Sequence, residues 1–223
     1  MRCILCNMPL FLSQHGICCQ CLKNLPALNK VCPQCALPHS WSTHICYRCR
    51  EQKPCWDELI AVANYIDPLK KLIHHLKFYQ KIELTNALAR LMFLAWYKRR
   101  ERYGILKPDL ITCVPLHHIR YWSRGFNQAQ QLAKPIARWL ARDFNPYLLQ
   151  RKQVAMDQKS LSLNERTKNV ASLFICEENL SGKSILLVDD IVTTGNTINV
   201  ISQQLKKCGA VNIQVICLCR TML

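Results

Sequence analysis

From Leu59 onward, apolar positions alternate between two textures. The runs LIAVANYI (Leu59 to Ile66), DLITCVPL (Asp109 to Leu116), KSILLVDD (Lys183 to Asp190) and VNIQVICLC (Val211 to Cys219) are short and nearly continuous in apolar residues, which predicts buried strands. Between them, DPLKKLIHHLKFY, ELTNALARLMFLAWYKRRERYG, the stretch from Asn127 to Arg142 and the stretch from Asn196 to Cys208 carry helical spacing. PYLLQ adds one short apolar run. Strands alternating with helices predict an α/β fold: a mostly parallel sheet with helices on both faces, its ligands gathered where the strands end. The first 56 residues lack such periodicity, contain five prolines and repeat a cysteine pair, so they predict a separate small module. The expected division is therefore 1–56 and 57–223. The polar segment Gln158 to Asn169 follows neither period and is expected to be a loop, either closing over ligand with Arg166 and Lys168 as its charged contacts or lying plainly on the surface.

Length and charge narrow the function. A chain of 223 residues can bury one good core beside a small extra module. No run of eighteen apolar residues occurs and the first residues do not follow the secretory pattern, so no membrane span and a cytoplasmic protein are expected. The formal net charge is +16, and Lys70 to Arg142 holds fifteen Lys or Arg against Glu83, Glu101 and Asp109. A surface of that sign favours polyanions. Trp96, Tyr97, Tyr103, Tyr121, Trp122 and Phe126 lie among these basic residues, where a base of single-stranded DNA could stack on an exposed ring, although some of the six must instead be core. Lys98, Arg99 and Arg100 are the densest cationic stretch, and a solvated helix face would produce the same pattern.

Fifteen cysteines would suggest disulfides in a small secreted chain, but ten of them crowd into residues 3 to 55. Cys3/Cys6, Cys18/Cys21, Cys32/Cys35 and Cys46/Cys49 form four C-x-x-C knuckles separated by eleven, ten and ten residues. Two knuckles complete a tetrahedral thiolate shell that suits zinc, so eight ligands imply two ions. Sequential pairing, the first four cysteines for one ion and the last four for the other, closes the more compact ribbons; cross-braced pairing is the alternative. With every position filled by cysteine, the metal is expected to be structural, replacing a core that so short a module cannot supply. Cys19 and Cys55 fall outside the ladder, and the later cysteines lie in or beside apolar elements as core residues.

The most informative stretch is ILLVDDIVTTGNT, Ile185 to Thr197. Its strand delivers Asp189 and Asp190 to the carboxyl end, and the following turn can aim backbone N–H groups at one point. Gly195 permits close approach there, and Thr193, Thr194 and Thr197 add hydroxyl donors. A phosphate fits that turn. Adjacent carboxylates would repel it, so they must address hydroxyl groups, a divalent metal or a positive charge developing in reaction. A sugar phosphate satisfies both halves.

Four apolar residues, two acids, two variable residues and T-T-G-x-T resemble the 5-phosphoribosyl-1-pyrophosphate (PRPP) motif of type I phosphoribosyltransferases. The resemblance implies that Asp189 and Asp190 hold the ribose 2- and 3-hydroxyls, directly or through magnesium, as the catalytic carboxylates. It implies also that Thr193, Thr194, Gly195, Asn196 and Thr197 cradle the 5-phosphate. VPLHHIRYWSRGFNQAQQLA (Val114 to Ala133) and QKSLSLNERTKNVASLF (Gln158 to Phe174) are similar to signatures of the ComF/GntX family. Its members are competence-associated proteins with an N-terminal zinc ribbon and a phosphoribosyltransferase-like domain. That resemblance implies a bacterial cytosolic protein assisting natural transformation, binding PRPP with magnesium and handling incoming single-stranded DNA beside other competence or DNA-processing proteins. From the residues themselves, Arg120 and Arg124 lie in a turn that could face pyrophosphate, Gly125 relaxes its backbone and Asn127 starts the next helix. Lys77 is a second candidate phosphate contact, with a solvated helix face shared with Lys70 and Lys71 as the alternative, whereas His74 and His75 read as surface or packing residues. Two accounts stand: a DNA-handling protein with a PRPP-binding pocket, or an active phosphoribosyltransferase of nucleotide metabolism working on an unidentified base. A scaffold acting only through the ribbon would leave the acid and threonine motif unexplained.

Overall fold

The computed structural model describes residues 2–12, 16–26, 28, 30–40, 43–151 and 173–222, excepting the side chains of His118 and Arg120. The expected loop at Gln158 to Asn169 lies outside the described residues. Two short helices, α1 (Cys19–Lys23) and α2 (Tyr47–Gln52), belong to the cysteine-rich segment. Then come β1 (Glu58–Asn64), α3 (Leu69–Phe78), α4 (Leu84–Tyr103), β2 (Leu110–Cys113), α5 (His118–Arg124) and α6 (Gln128–Leu140). The chain continues through β3 (Asp143–Phe144), β4 (Gln150–Arg151), β5 (Phe174–Ile175), β6 (Ser184–Val188), β7 (Ile191–Val192), α7 (Asn196–Lys207) and β8 (Asn212–Arg220).

The main sheet runs β1-β8-β6-β2-β3, with β7 beside the end of β8, and all its pairs are parallel. β4 and β5 form a small antiparallel pair. Strand β6, SILLV, is buried at all five positions, as a strand covered on both faces must be. One core holds Leu72, Ile73, Leu88, Met92, Leu132 and Ile136 from α3, α4 and α6 against Ile111, Leu186 and Val188. The other holds Ile198, Ile201 and Leu205 of α7 against Ile185, Leu187 and Val215. Helix ends follow ordinary capping chemistry: Asn127 Oδ1 accepts from the Ala129 N–H at 3.0 Å, and α4 stops at Gly104 with φ 66°.

One expectation changes. Arg120 and Arg124 do not lie in a turn but in α5, capped by His117 at its start and by Gly125, φ 75°, at its end. Seven residues are too short for a helical period to stand out in the sequence. Of the aromatic residues among the basic ones, Trp96 and Phe126 are core; the Trp96 indole N–H donates to Gln214 Oε1 at 2.8 Å. Tyr97, Tyr121 and Trp122 are exposed.

The cysteine segment is tied to both faces of the sheet. Cys3, Ile17 and Leu25 join the core under α4, where Gly16 approaches so closely that a Cβ would come within 2.5 Å of the Ala87 Cβ. The second half sits over β1 and β8, with Leu59 N–H donating to the Pro33 carbonyl at 3.1 Å and Arg220 Nε to the Cys35 carbonyl at 3.0 Å.

Candidate functional site

The cysteines gather as two sets, Cys3, Cys6, Cys18 and Cys21, and Cys32, Cys35, Cys46 and Cys49, each with its sulfurs within 4.8 Å of one another. This is the sequential grouping. Sulfur separations of 3.7 Å (Cys6 to Cys18), 3.8 Å (Cys35 to Cys46) and 4.0 Å (Cys32 to Cys49) are far beyond a disulfide. They match the roughly 3.8 Å edge of a tetrahedron built on Zn–S bonds of about 2.3 Å. Backbone N–H groups already point at the sulfurs, Cys18 N to Cys3 Sγ and Cys46 N to Cys32 Sγ, both at 3.3 Å. A hydrogen bond from the Cys35 thiol draws Cys32 down to about 4 against the cost of burial, while that same bond raises Cys35 and burial pushes Cys49 up to about 12, so without a metal the set holds its charge on Cys32. Both clusters fit zinc.

The second site is a cavity of about 310 Å³ at the carboxyl ends of β2 and β6. Asp189, Asp190, Thr193, Thr194, Gly195, Asn196 and Thr197 line it together with Lys77 and Arg124. β6 ends at Val188, so Asp189 follows directly; its Oδ1 accepts the Asp190 N–H at 2.8 Å. Burial and the neighbouring Asp190 push the Asp189 carboxyl up to about 8, with backbone hydrogen bonding and Lys77 acting in the opposite direction. Lys77 Nζ reaches Asp190 Oδ2 at 2.8 Å, and both side chains are largely buried. The lysine expected to meet a phosphate thus meets the acid pair within the same cavity.

β7 carries the chain from the acids to the threonines, held by Thr221 N–H donating to the Val192 carbonyl at 3.1 Å. Gly195, φ 87°, then opens α7 without a side-chain cap. The Thr194 hydroxyl takes the Asn196 N–H at 3.3 Å, and Asn196, Thr197 and Ile198 of the first turn line the cavity. A Cβ at Gly195 would stand 3.0 Å from the Trp56 ring, which pins this turn from the cysteine segment.

Arg124 Nη1 donates to Gln128 Oε1 at 3.1 Å, and its guanidinium lies 5.3 Å from the Phe78 ring centre. Arg120 lies in α5, with its side chain outside the described residues. His74 packs on Phe78 and Tyr79 and does not line the cavity. His117, Gln128 and Arg151 line it without having been singled out by sequence. His117 could have been suspected only from its place just before a helix, a weak signal.

The basic face is less free than its composition suggests. Arg99 pairs with Glu58 at 3.7 Å and stacks 4.1 Å over Tyr103, and Arg100 caps the Ile105 carbonyl at 2.9 Å. Lys98 and Arg102 are exposed. Among the described residues no helix is long and apolar enough to cross a membrane.

Comparison with known proteins places these features in one lineage. The family model described as a phosphoribosyl transferase domain matches residues 123–222. DNA utilization protein YhgH of Escherichia coli K12 is 41% identical over 220 residues, covering 99% of this chain and 97% of the relative. Competence protein F of Haemophilus influenzae is 34% identical, covering 96% and 94%. Competence protein ComFC of Streptococcus pneumoniae is 25% identical, covering 99% and 100%. On full-length similarity of that order, with the type I phosphoribosyltransferase-like sheet and the paired cysteine clusters fitting a double zinc ribbon, this chain belongs to the ComF/GntX family.

Proposed function

We propose that this protein binds PRPP, or a related phosphoribosyl ligand, and assists the handling of incoming single-stranded DNA in natural transformation, working in the cytoplasm. One observation carries the pocket reading: a buried acid pair and an uncapped helix N-terminus face one cavity, bridged by the Thr193 to Thr197 turn. The 5-phosphate belongs on the turn, and the ribose hydroxyls on Asp189 and Asp190. The carboxylate pair also suits magnesium, a hard cation that takes oxygen ligands and would neutralise charge on the pyrophosphate. DNA handling draws its support from the names of the relatives and from the exposed Lys98, Arg102, Tyr97 and Trp122. Other competence or DNA-processing proteins are the expected partners.

Transfer of the phosphoribosyl group to a base is the second reading. It is favoured by Lys77 and Arg124 lining the same cavity, cations suited to a second phosphate-bearing group such as departing pyrophosphate. Titration calorimetry of zinc-loaded protein with PRPP and magnesium, beside the Asp189→Ala/Asp190→Ala variant, tests the pocket. Binding that the variant loses, with its single-strand affinity intact, is the expected result; equal PRPP binding by the variant would refute it. Pyrophosphate release on adding bases or single strands would select turnover over sensing.

A further inference from the structure

Arg220 ends β8 almost wholly buried, and every acceptor it uses among the described residues is a backbone carbonyl. Nε donates to Cys35 at 3.0 Å, while Nη1 donates to Val192 at 3.0 Å and to Thr221 at 3.4 Å. None of the ion pairs among the described residues involves it. A guanidinium in such a place needs a counter-charge, because an unpaired buried ion costs several kcal/mol. Burial holds the neighbouring Cys217 thiol neutral, and the second cysteine cluster, to which Cys35 belongs, can supply the charge: four thiolates around one zinc carry about two negative charges.

The two arms of this side chain end at different functional parts. One holds the knuckle containing Cys35; the other holds the last residue of β7, immediately before Thr193. A second tie runs parallel to it. Trp56 donates its indole N–H to the Gln34 carbonyl, accepts at its own carbonyl from Gln34 Nε2 at 3.2 Å, and lays its ring against Gly195. Cys55 N–H donates to Asn199 Oδ1 in the first turns of α7 at 2.9 Å. The second cluster is therefore braced against both ends of the threonine turn, whereas the first packs under α4 on the other face of the sheet.

We infer that Arg220 is a positioning residue that transmits zinc occupancy of the Cys32, Cys35, Cys46 and Cys49 cluster to the phosphate-binding turn, so that ligand affinity depends on metal at this cluster. The inference rests on the proposed phosphoribosyl pocket for its ligand, but not for its structural half. With zinc in place the knuckle is fixed, Arg220 is neutralised, and its fork holds Val192. Without zinc the knuckle and the counter-charge are lost together, and the turn loses its brace.

The test uses the full zinc-loaded chain as wild type, Arg220→Met, Arg220→Lys, Cys49→Ser and Cys49→Ser/Arg220→Met. Zinc content, PRPP–magnesium affinity by calorimetry and amide hydrogen exchange are measured on each. Arg220→Met should weaken PRPP by about tenfold or more, as loss of a charged hydrogen-bond donor implies. Exchange at residues 193–199 should accelerate while the amides of α4, which report global folding, stay protected. Cys49→Ser should lose one zinc and show the same changes, and adding Arg220→Met to it should change little more, because both act through one link. Unchanged exchange and affinity in Arg220→Met and Cys49→Ser would overturn the inference. If α4 in Arg220→Met also exchanges fast, Arg220→Lys decides: it keeps the charge but not the fork, and protection of the turn equal to wild type would overturn the claim. A wild type that fails to bind PRPP would sink the pocket reading, and the exchange comparison would still judge the link.

Discussion

Replacing Lys77 by Met removes the cation from a buried acid pair while keeping most of the side-chain volume. The ammonium lies 2.8 Å from Asp190 Oδ2, with side-chain exposures of 16% and 12%. Removing one member of a buried ion pair costs about 3–5 kcal/mol, and the residual exposure here puts the expectation at roughly 2–3 kcal/mol. The loss must depend on pH. Asp189 is raised to about 8, so between its ordinary carboxylate range and that value the folded protein binds more protons than the unfolded chain. Its contribution to stability is present at low pH and declines as pH rises through the window. At pH 6.5 Asp189 already holds its proton with or without Lys77, so only one carboxylate loses its partner; at pH 9 the variant must either face two carboxylates without a cation or take up a proton against the pH, and both cost more. Urea melts of zinc-loaded wild type, Lys77→Met, Asp190→Asn and the double variant at both pH values measure this. With a slope near 3 kcal/mol per molar, the Lys77→Met midpoint should fall by roughly 1 M at pH 9 and by under half as much at pH 6.5. The double variant should recover most of it. Equal midpoints for Lys77→Met and wild type at pH 9, or a loss that Asp190→Asn does not relieve, would refute the charge-pair account.

Gly195→Ala introduces a Cβ at φ 87° and 3.0 Å from the Trp56 ring, so it should cost about 1–2 kcal/mol and weaken phosphate binding; a thermal melt and PRPP titration check both. The zinc clusters should empty on acidification as thiolates protonate, releasing two equivalents per chain to a colorimetric chelator, and one equivalent would mean that only one cluster is loaded. Converting the exposed Lys98 and Arg102 to Gln should flatten the salt dependence of single-strand binding by about 1.4 in log–log slope, and an unaltered slope would remove this face from the interface.

What the sequence revealed and what it hid follow from how far apart the cooperating groups lie. β6, the acid pair and the uncapped α7 are continuous, so strand, charge and turn could be read together from Ile185 to Thr197. The cysteine grouping was legible for the same reason, each cluster closing over nearby knuckles. α5 does not show because a seven-residue helix gives no period, and which of the aromatic residues are core does not show because charged neighbours on α4 conceal the apolar face that holds Trp96.

Long-range partners leave no such trace. Lys77 reads from the sequence as a phosphate contact or a solvated cation, and nothing within α3 shows that its ammonium also meets an acid 113 residues further on; the sheet order brings them together by placing the start of the chain's α/β part beside its end. Arg220 is the more extreme case, meeting a carbonyl 185 residues away in a module with a different texture. A basic residue ending an apolar strand ordinarily reads as one emerging into solvent. Only its burial, without a carboxylate ion pair among the described residues, turns it into a question about charge. The metal cluster beside it is a physically sufficient answer. The same side chain fixes the consequence of the inference: a guanidinium neutralised by the second cysteine cluster and bonded to Val192 makes the geometry of the Thr193 to Thr197 turn depend on the cysteine segment.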